Sequence, residues 1–294
     1  MFKHRGTFRF RIYVIAGLLM VSATLPAGVL TAGQSETFFT EIRKRLVSDG
    51  FDAIWIDQLY ENEAVAFEGK GVSQYFMLNE ARLNYKQFTS DKSIAKARDY
   101  LVQHRSFFED AQKKFGVDPE VIAAIMLVET RLGNFVGRRN IINTLSTIAA
   151  LSSSNPREQI WENIPQSKRI SRKDFDKKAD FRSKWAYKEL KAFLTYTRRE
   201  SMDPLVIKGS IAGAMGIAQF MPTNILTLAR DGNRDGRIDL FDHADAIFSI
   251  ANYLKRYGWR PGISREKAAK VVYSYNHSSY YVDTVLEISD LLKG

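Results

Sequence analysis

The stretch DPEVIAAIMLVETRLG, residues 118–133, constrains the fold more than any other. Asp118 is suited to cap a helix, Pro119 to occupy its first position and Glu120 to sit at the positive end of its dipole. Beyond them Val121, Ile122, Ala124, Ile125, Met126, Leu127 and Val128 place apolar side chains on every face. Such a helix cannot lie on a surface, so it predicts a central helix wrapped by other elements. Glu129 shares a face with Ile122, Ile125 and Met126. A carboxylate there loses hydration, and desolvation favours its protonated form, the state a general acid needs near neutral pH. An ion pair with Arg131, Arg138 or Arg139 would account for the same residue without any chemistry.

The rest of the chain follows mostly helical spacing. Phe38, Ile42 and Leu46 and then, past a turn at Asp49-Gly50, Ile54, Ile56 and Leu59 repeat at mostly helical spacings. Residues 68–81 (EGKGVSQYFMLNEA) are ambiguous and read as a loop. Residues 93–115 read as one long amphipathic helix with Ala97, Leu101, Phe107, Phe108 and Ala111 inward, stopped by Gly116. Further helices are expected at 141–151, 185–199, 244–257 and 264–275, with a polar, basic stretch of no strong pattern between the first two. Strand signals are few and short. The expected class is mainly α with a small β element.

The chain has 294 residues, 45% of them hydrophobic and 12% aromatic, enough for a substantial core. Cysteine is absent, which excludes disulfides, Cys-ligated zinc, a thiol nucleophile and a lipoprotein-type acyl anchor. The net charge is +10, and Lys3, Arg5, Arg9 and Arg11 supply four of those units before the first acid, leaving +6 for the remainder. That surplus suits an anionic partner, although no nucleic-acid motif is present. The basic cluster at 168–184 is interleaved with Asp174, Asp176 and Asp180 and reads as solvated surface. A basic start followed by IYVIAGLLMVSATLPAGVLTAG has the order of a secretory signal, with cleavage after Ala27 or near Ala32. The alternative is an uncleaved inner-membrane anchor, since residues 12–32 are long enough to span a bilayer. Either way the remainder is expected outside the cytoplasm, in the periplasm or cell envelope.

Three further stretches carry chemistry. GSIAGAMGIAQFMPTN (209–224) has glycines and alanines for a tightly turning backbone, with Ser210 and Gln219 as neutral hydrogen-bonding groups. It lacks the Lys-Ser/Thr pair of a phosphate loop and reads equally as a helix-packing seam. In DGNRDGRIDLFDHAD, Asp231, Asn233 and Asp235 occupy positions 1, 3 and 5 of an EF-hand-type loop, with Gly236 as the turn glycine and the Arg237 carbonyl as a seventh-position ligand. Asp242 stands at position 12, and a loop longer by three would end on Asp245. These oxygens imply Ca2+ in a structural role; no organic cofactor is implied. In VVYSYNHSSYYV, Tyr275 and Asn276 combine an aromatic face with an amide, as sugar rings require, whereas His277 reads as structural.

Together these pieces resemble the MltB-type lytic murein transglycosylases, a branch of the lysozyme-like superfamily. The resemblance runs from about Ser48 to the C-terminus through SDGFD, YKQFT, FGVDPEVIAAIMLVETRLG, GSIAGAMGIAQFMPTN, the acidic loop and SYNHSSYYV. It implies an α+β lysozyme-like fold, with residues 34–115 as an N-terminal helical region packing on a catalytic core at 116–294. By similarity Glu129 is the single catalytic acid/base and Ser210 a hydrogen-bonding partner holding it, while Gln219, Tyr275, Asn276 and Tyr85 line sugar subsites. The implied substrate is the peptidoglycan glycan strand, cut between N-acetylmuramic acid and N-acetylglucosamine with formation of 1,6-anhydro ends; wall-synthesis proteins are the implied partners. Leu132 replaces a common aromatic, Asn143 a frequent aspartate, and residues 156–184 look like an insertion. Rival readings are a hydrolytic muramidase, an inactive calcium-stabilised wall-binding protein and a dockerin-like module, the last requiring a second acidic loop that is absent.

Overall fold

The computed structural model describes residues 32–78 and 84–294, with side chains from Phe38 onward, so the N-terminal basic and apolar stretch lies outside the described residues. Five helices precede the central one: α1 (Ala32–Ser48), α2 (Ala53–Glu61), α3 (Gly69–Met77), α4 (Asp91–Gln103) and α5 (Arg105–Phe115), with a 3-10 turn at Tyr85–Phe88 before α4. The central helix α6 (Pro119–Thr130) is followed by β1 (Arg139–Asn140), α7 (Ile141–Ala150), α8 (Ser154–Asn163) and α9 (Arg172–Arg199). The chain ends with β2 (Lys208–Gly209), α10 (Pro222–Leu228), α11 (His243–Arg256), α12 (Arg265–Tyr275) and α13 (Ser279–Lys293). No helix among the described residues is long and apolar enough to cross a membrane.

The expected central helix is present: every α6 residue from Val121 to Thr130 is buried, and α4, α5, α11 and α13 pack against it. The small β element is an antiparallel pair with Arg139 opposite Gly209 and Asn140 opposite Lys208. Single bridges extend it from Gly209 to Met215 and from Met215 to Phe220. Its crossing is too close for side chains. A Cβ on Gly137 would lie 2.0 Å from the Gly209 carbonyl oxygen, and one on Gly209 would lie 2.1 Å from that of Ala214. One continuous apolar core joins the helices before and after α6.

Five local expectations are corrected. Residues 69–77 are helical rather than a loop, because the Glu68 carboxylate caps the start by accepting from Gly71 N–H (3.1 Å) and Val72, Tyr75 and Phe76 bury one face. The helix expected over 93–115 breaks at His104, whose ring stacks on His243 at 4.7 Å, so that α4 packs on α6 while α5 packs on α11. The helix expected from 185 begins at Arg172 instead, after Ser171 caps it by accepting from Asp174 N–H. The unpatterned basic stretch before it holds α8, where Trp161 lies between the Arg169 and Arg172 guanidiniums. Finally α13, absent from the sequence reading, is capped by Ser278 and buries Tyr281, Val282, Val285, Leu286 and Ile288.

Asn143 has a structural role that its amide explains. Its Oδ1 accepts from Ala66 N–H (3.1 Å) and its Nδ2 donates to the Ala64 carbonyl (2.9 Å), docking that segment on α7. A carboxylate could make only the first bond. Asn143→Asp is therefore expected to cost about 0.5–1.5 kcal/mol by taking the donor from the Ala64 carbonyl. Urea denaturation near neutral pH is the check; an unchanged midpoint would discount this docking role.

Candidate active site

Glu129 occupies the last turn of α6 and is only 1% exposed. The helix stops at once after it. Arg131 and Leu132 bond back to the Leu127 and Met126 carbonyls at 3.0 Å each, and Arg131, Leu132 and Gly133 all take positive φ, at 53°, 63° and 88°. Two non-glycine residues in that region mark a strained turn held by its surroundings. The three arginines considered as partners are engaged elsewhere: Arg131 donates to Gln87, Arg139 to Glu68, and Arg138 lies over the Phe135 ring.

A hydroxyl reaches the acid from α13. Tyr281 Oη donates to Glu129 Oε1 at 2.8 Å across 152 residues of sequence. Its ring is fully buried and parallel to that of Tyr275, with centroids 6.4 Å apart and planes at 5°. Burial first, and then the Glu129 charge, push both phenols well above 10, so both remain donors near neutral pH. Sequence reasoning missed Tyr281; the signal was the apolar spacing of Tyr281, Val282, Val285 and Leu286 behind a Ser cap.

Of the expected residues, Tyr275 and Tyr85 lie beside this pair, whereas the hydrogen bonds that Ser210 accepts stay within its own turn. Tyr275, whose phenol is under the influence of the Glu129 charge, donates to the Ala218 carbonyl at 2.5 Å. The next residue in that loop, Gln219, is buried with φ 48° and donates through Nε2 to the Val136 and Gly216 carbonyls at 3.1 and 2.8 Å. Its Oε1 has no partner among the described residues and can accept from a ligand. Tyr85 is buried in the 3-10 turn that packs on α13, close enough for its phenol to act on that of Tyr281. Asn276 is buried where α12 ends. Ser210 Oγ accepts from Ala212 and Ala214 N–H at 3.3 and 3.0 Å, closing its own turn and keeping its proton to donate. Leu132 is buried at the α6 terminus, filling that corner without a ring.

Among the described residues three other acidic side chains are as buried as a core residue, and each accepts hydrogen bonds from groups other than Tyr281. Glu189 accepts from Thr223 N–H and Oγ1 at 2.9 Å each, and burial raises its pKa. Glu200 receives Arg199 and Ile238 N–H. Asp245 spans the acidic loop, its two oxygens accepting from Gly232 and Asp239 N–H at 2.7 Å each.

That loop is closed by side-chain oxygens accepting from backbone N–H groups a few residues on. Asp231 accepts from Arg234 and Gly236 N–H, Asn233 from Asp235 N–H, and Asp235 from Arg237 N–H; Gly236 takes φ 84°. Asp242 caps α11, accepting from Ala244 and Asp245 N–H at 2.8 and 3.1 Å. Of the two candidate closing acids, Asp245 is thus the one that reaches back across the loop. Among the described residues no three carboxylate or imidazole groups converge as a metal cluster.

The family described as "Transglycosylase SLT domain" matches residues 34–271. Membrane-bound lytic murein transglycosylase B of Escherichia coli (strain K12) is 36% identical over 185 residues, which is 63% of this chain and 44% of that relative. The chain thus aligns with less than half the length of that curated relative. Among solved structures, the Escherichia coli lytic transglycosylase Slt35 in complex with calcium superposes with a TM-score of 0.69 at 25% identity, covering 87% of this chain and 92% of that one. SltB3 from Pseudomonas aeruginosa, in complex with NAG-NAM-pentapeptide, gives 0.71 at 20% identity, covering 88% and 79%, and shares the fold. With the family matched over most of its length and the relatives' helical architecture reproduced, the chain belongs to the transglycosylase SLT domain family.

Proposed function

We propose that the chain is a lytic transglycosylase of peptidoglycan, using Glu129 first as acid and then as base. The observation that carries this reading is the count of buried carboxyls among the described residues. One buried acid stands at the abrupt end of α6 with a tyrosine hydroxyl on it, while the other buried acids are committed to distant backbone groups. Hydrolytic glycosidases ordinarily use two carboxyls. A single one suffices if the substrate supplies the nucleophile.

Protonated Glu129 donates to the glycosidic oxygen as its bond to C1 of N-acetylmuramic acid breaks. The acetamido carbonyl of that sugar shields the positive charge at C1. Glu129, now ionised, takes the proton from the C6 hydroxyl while O6 closes on C1. The acid returns to its starting state, no water is consumed, and the muramic end is a 1,6-anhydro sugar. Tyr281 orients the carboxyl, and Gln219, Tyr275, Asn276 and Tyr85 supply aromatic faces and amide groups for the glycan. Ser210 supplies a donor from the facing turn. Digestion of purified sacculi followed by muropeptide mass analysis tests the reading. Anhydro ends, one water lighter than hydrolytic ends and free of isotopic oxygen from labelled water, are expected. Labelled reducing ends would establish a muramidase instead, and intact sacculi a wall-binding protein. A wall substrate also places the chain at the cell envelope.

We further propose that residues 231–245 hold Ca2+. The donor set is all oxygen, from Asp231, Asn233, Asp235, the Arg237 carbonyl, Asp242 and Asp245, which suits a hard cation. Burial pushes the Asp245 carboxyl up to about 6, and a divalent ion would supply the missing countercharge. The calcium-bound Slt35 relative supports the assignment. A millimolar excess of Ca2+ is expected to raise the melting temperature by several degrees, roughly 2–3 kcal/mol at a hundred times Kd, with the gain lost in Asp231→Ala. Equal melting curves in calcium and in EDTA would refute it.

A further inference from the structure

We propose that Thr130 is a positioning residue for Glu129, its hydroxyl locking the end of α6 to the turn that carries Ile217. The inference rests on the catalytic reading of Glu129. Thr130 is buried and immediately follows the acid. Its Oγ1 accepts from Gly133 N–H at 3.0 Å and donates to the Ile217 carbonyl at 3.0 Å, with the Met126 carbonyl at 3.3 Å as the alternative acceptor within the helix. One hydroxyl therefore satisfies the donor of the third positive-φ residue and reaches across to a different segment.

The lock continues beyond Ile217. Its N–H donates to the Leu240 carbonyl at 2.7 Å, and the neighbouring Asp239 N–H is held by Asp245. Gly216 has no room for a side chain there: its Cβ would lie 2.6 Å from the Leu240 oxygen. A second contact runs in parallel. A Cβ on Gly133 would lie 3.0 Å from His243 Cε1 and 3.2 Å from Ile217 Cδ1, so the left-handed turn is seated against α11 and the Ile217 side chain. The end of α6 is thereby fixed to the acidic loop from one side, while α13 brings Tyr281 to Glu129 from another. The hydroxyl thus ties the strained turn that follows Glu129 to a second segment of the chain, in addition to the bonds that turn makes back to α6. A misplacement of about 1 Å at a reacting group can lower a rate by about a hundredfold.

Valine keeps the shape of threonine and removes the hydroxyl; serine keeps the hydroxyl. Steady-state kinetics on soluble glycan strands should show Thr130→Val lowering kcat by about tenfold to a hundredfold with KM within about twofold, and Thr130→Ser recovering most of the loss. Asn143→Ala, which loosens a docking contact remote from this turn, serves as a stability control and should keep kcat. A readout independent of turnover is the side-chain carboxyl 13C resonance of Glu129, assigned by its loss in Glu129→Gln. Its titration midpoint should move in Thr130→Val and return in Thr130→Ser. An unchanged midpoint in Thr130→Val overturns the inference whatever the turnover does, as does a serine variant that behaves like the valine one. Failure of the wild type to make anhydro ends would sink the catalytic reading alone, because the carboxyl resonance still reports on Thr130.

Discussion

Glu129→Gln should abolish turnover and leave the fold intact. Glutamine has the same shape, and its amide oxygen still accepts from Tyr281 Oη where Oε1 does now, at 2.8 Å. What it lacks is a proton to give to a glycosidic oxygen and a charge to take one back. General acid–base catalysis contributes roughly a hundredfold to ten-thousandfold, and in the proposed mechanism one group serves both halves of the reaction, so a loss of at least about a thousandfold is expected. The melting temperature should hold or rise slightly, because a neutral amide loses less on leaving water than the ionised carboxylate of the unfolded chain does. Muropeptide release from sacculi and thermal unfolding, measured on the same preparation, give both quantities. Release at the wild-type rate would remove Glu129 from the chemistry, and a collapsed fold would show that its burial is structural.

Tyr281→Phe is the second large effect. The substitution deletes one oxygen and leaves the ring parallel to that of Tyr275. Glu129 then loses the donor that orients Oε1 and stabilises the ionised form between the two proton transfers. A hydrogen bond to a charged group contributes about 1.5–3 kcal/mol, which corresponds to a fall in kcat of roughly tenfold to a hundredfold at 1.4 kcal/mol per decade. KM should change little if the phenol touches only the acid. Since burial and the neighbouring charge hold the phenol well above 10, the pH–rate curve of the wild type should show no inflection from Tyr281 at or below neutral pH. A variant with unaltered kcat would mean that packing alone positions the acid.

The elements legible in the sequence are those whose signals are local. Asp118-Pro119-Glu120 marked the start of α6, and Gly116 marked the stop before it; the structure gives that glycine φ 68°, as a helix terminator requires. The Asp-x-Asn-x-Asp-Gly order set the turns of the acidic loop, each closed by a side chain onto an N–H a few residues on. Glu129 was conspicuous because a charge in an apolar run is rare. Signals failed where glycine or charge diluted the pattern. Gly69 and Gly71 hid α3, and nine basic side chains among residues 156–184 hid α8 and the first half of α9. The break at His104 was invisible because a continuous helix would place His104 on the inward face as well; its ring stack with His243 involves a residue far along the chain.

What the sequence determined by itself was a buried helix ending in an acid, an oxygen-rich loop and a mainly helical class, all consequences of side-chain chemistry within a few turns of backbone. Only tertiary packing decided that Tyr281 meets Glu129, that Asp245 reaches across the acidic loop while Asp242 caps α11, and that Thr130 holds the Ile217 carbonyl. The physical reason is range. Caps and periodicity act over distances the backbone itself spans, whereas a buried hydrogen bond needs two groups brought together by burial of the helices that carry them, and no local pattern in either helix names the other.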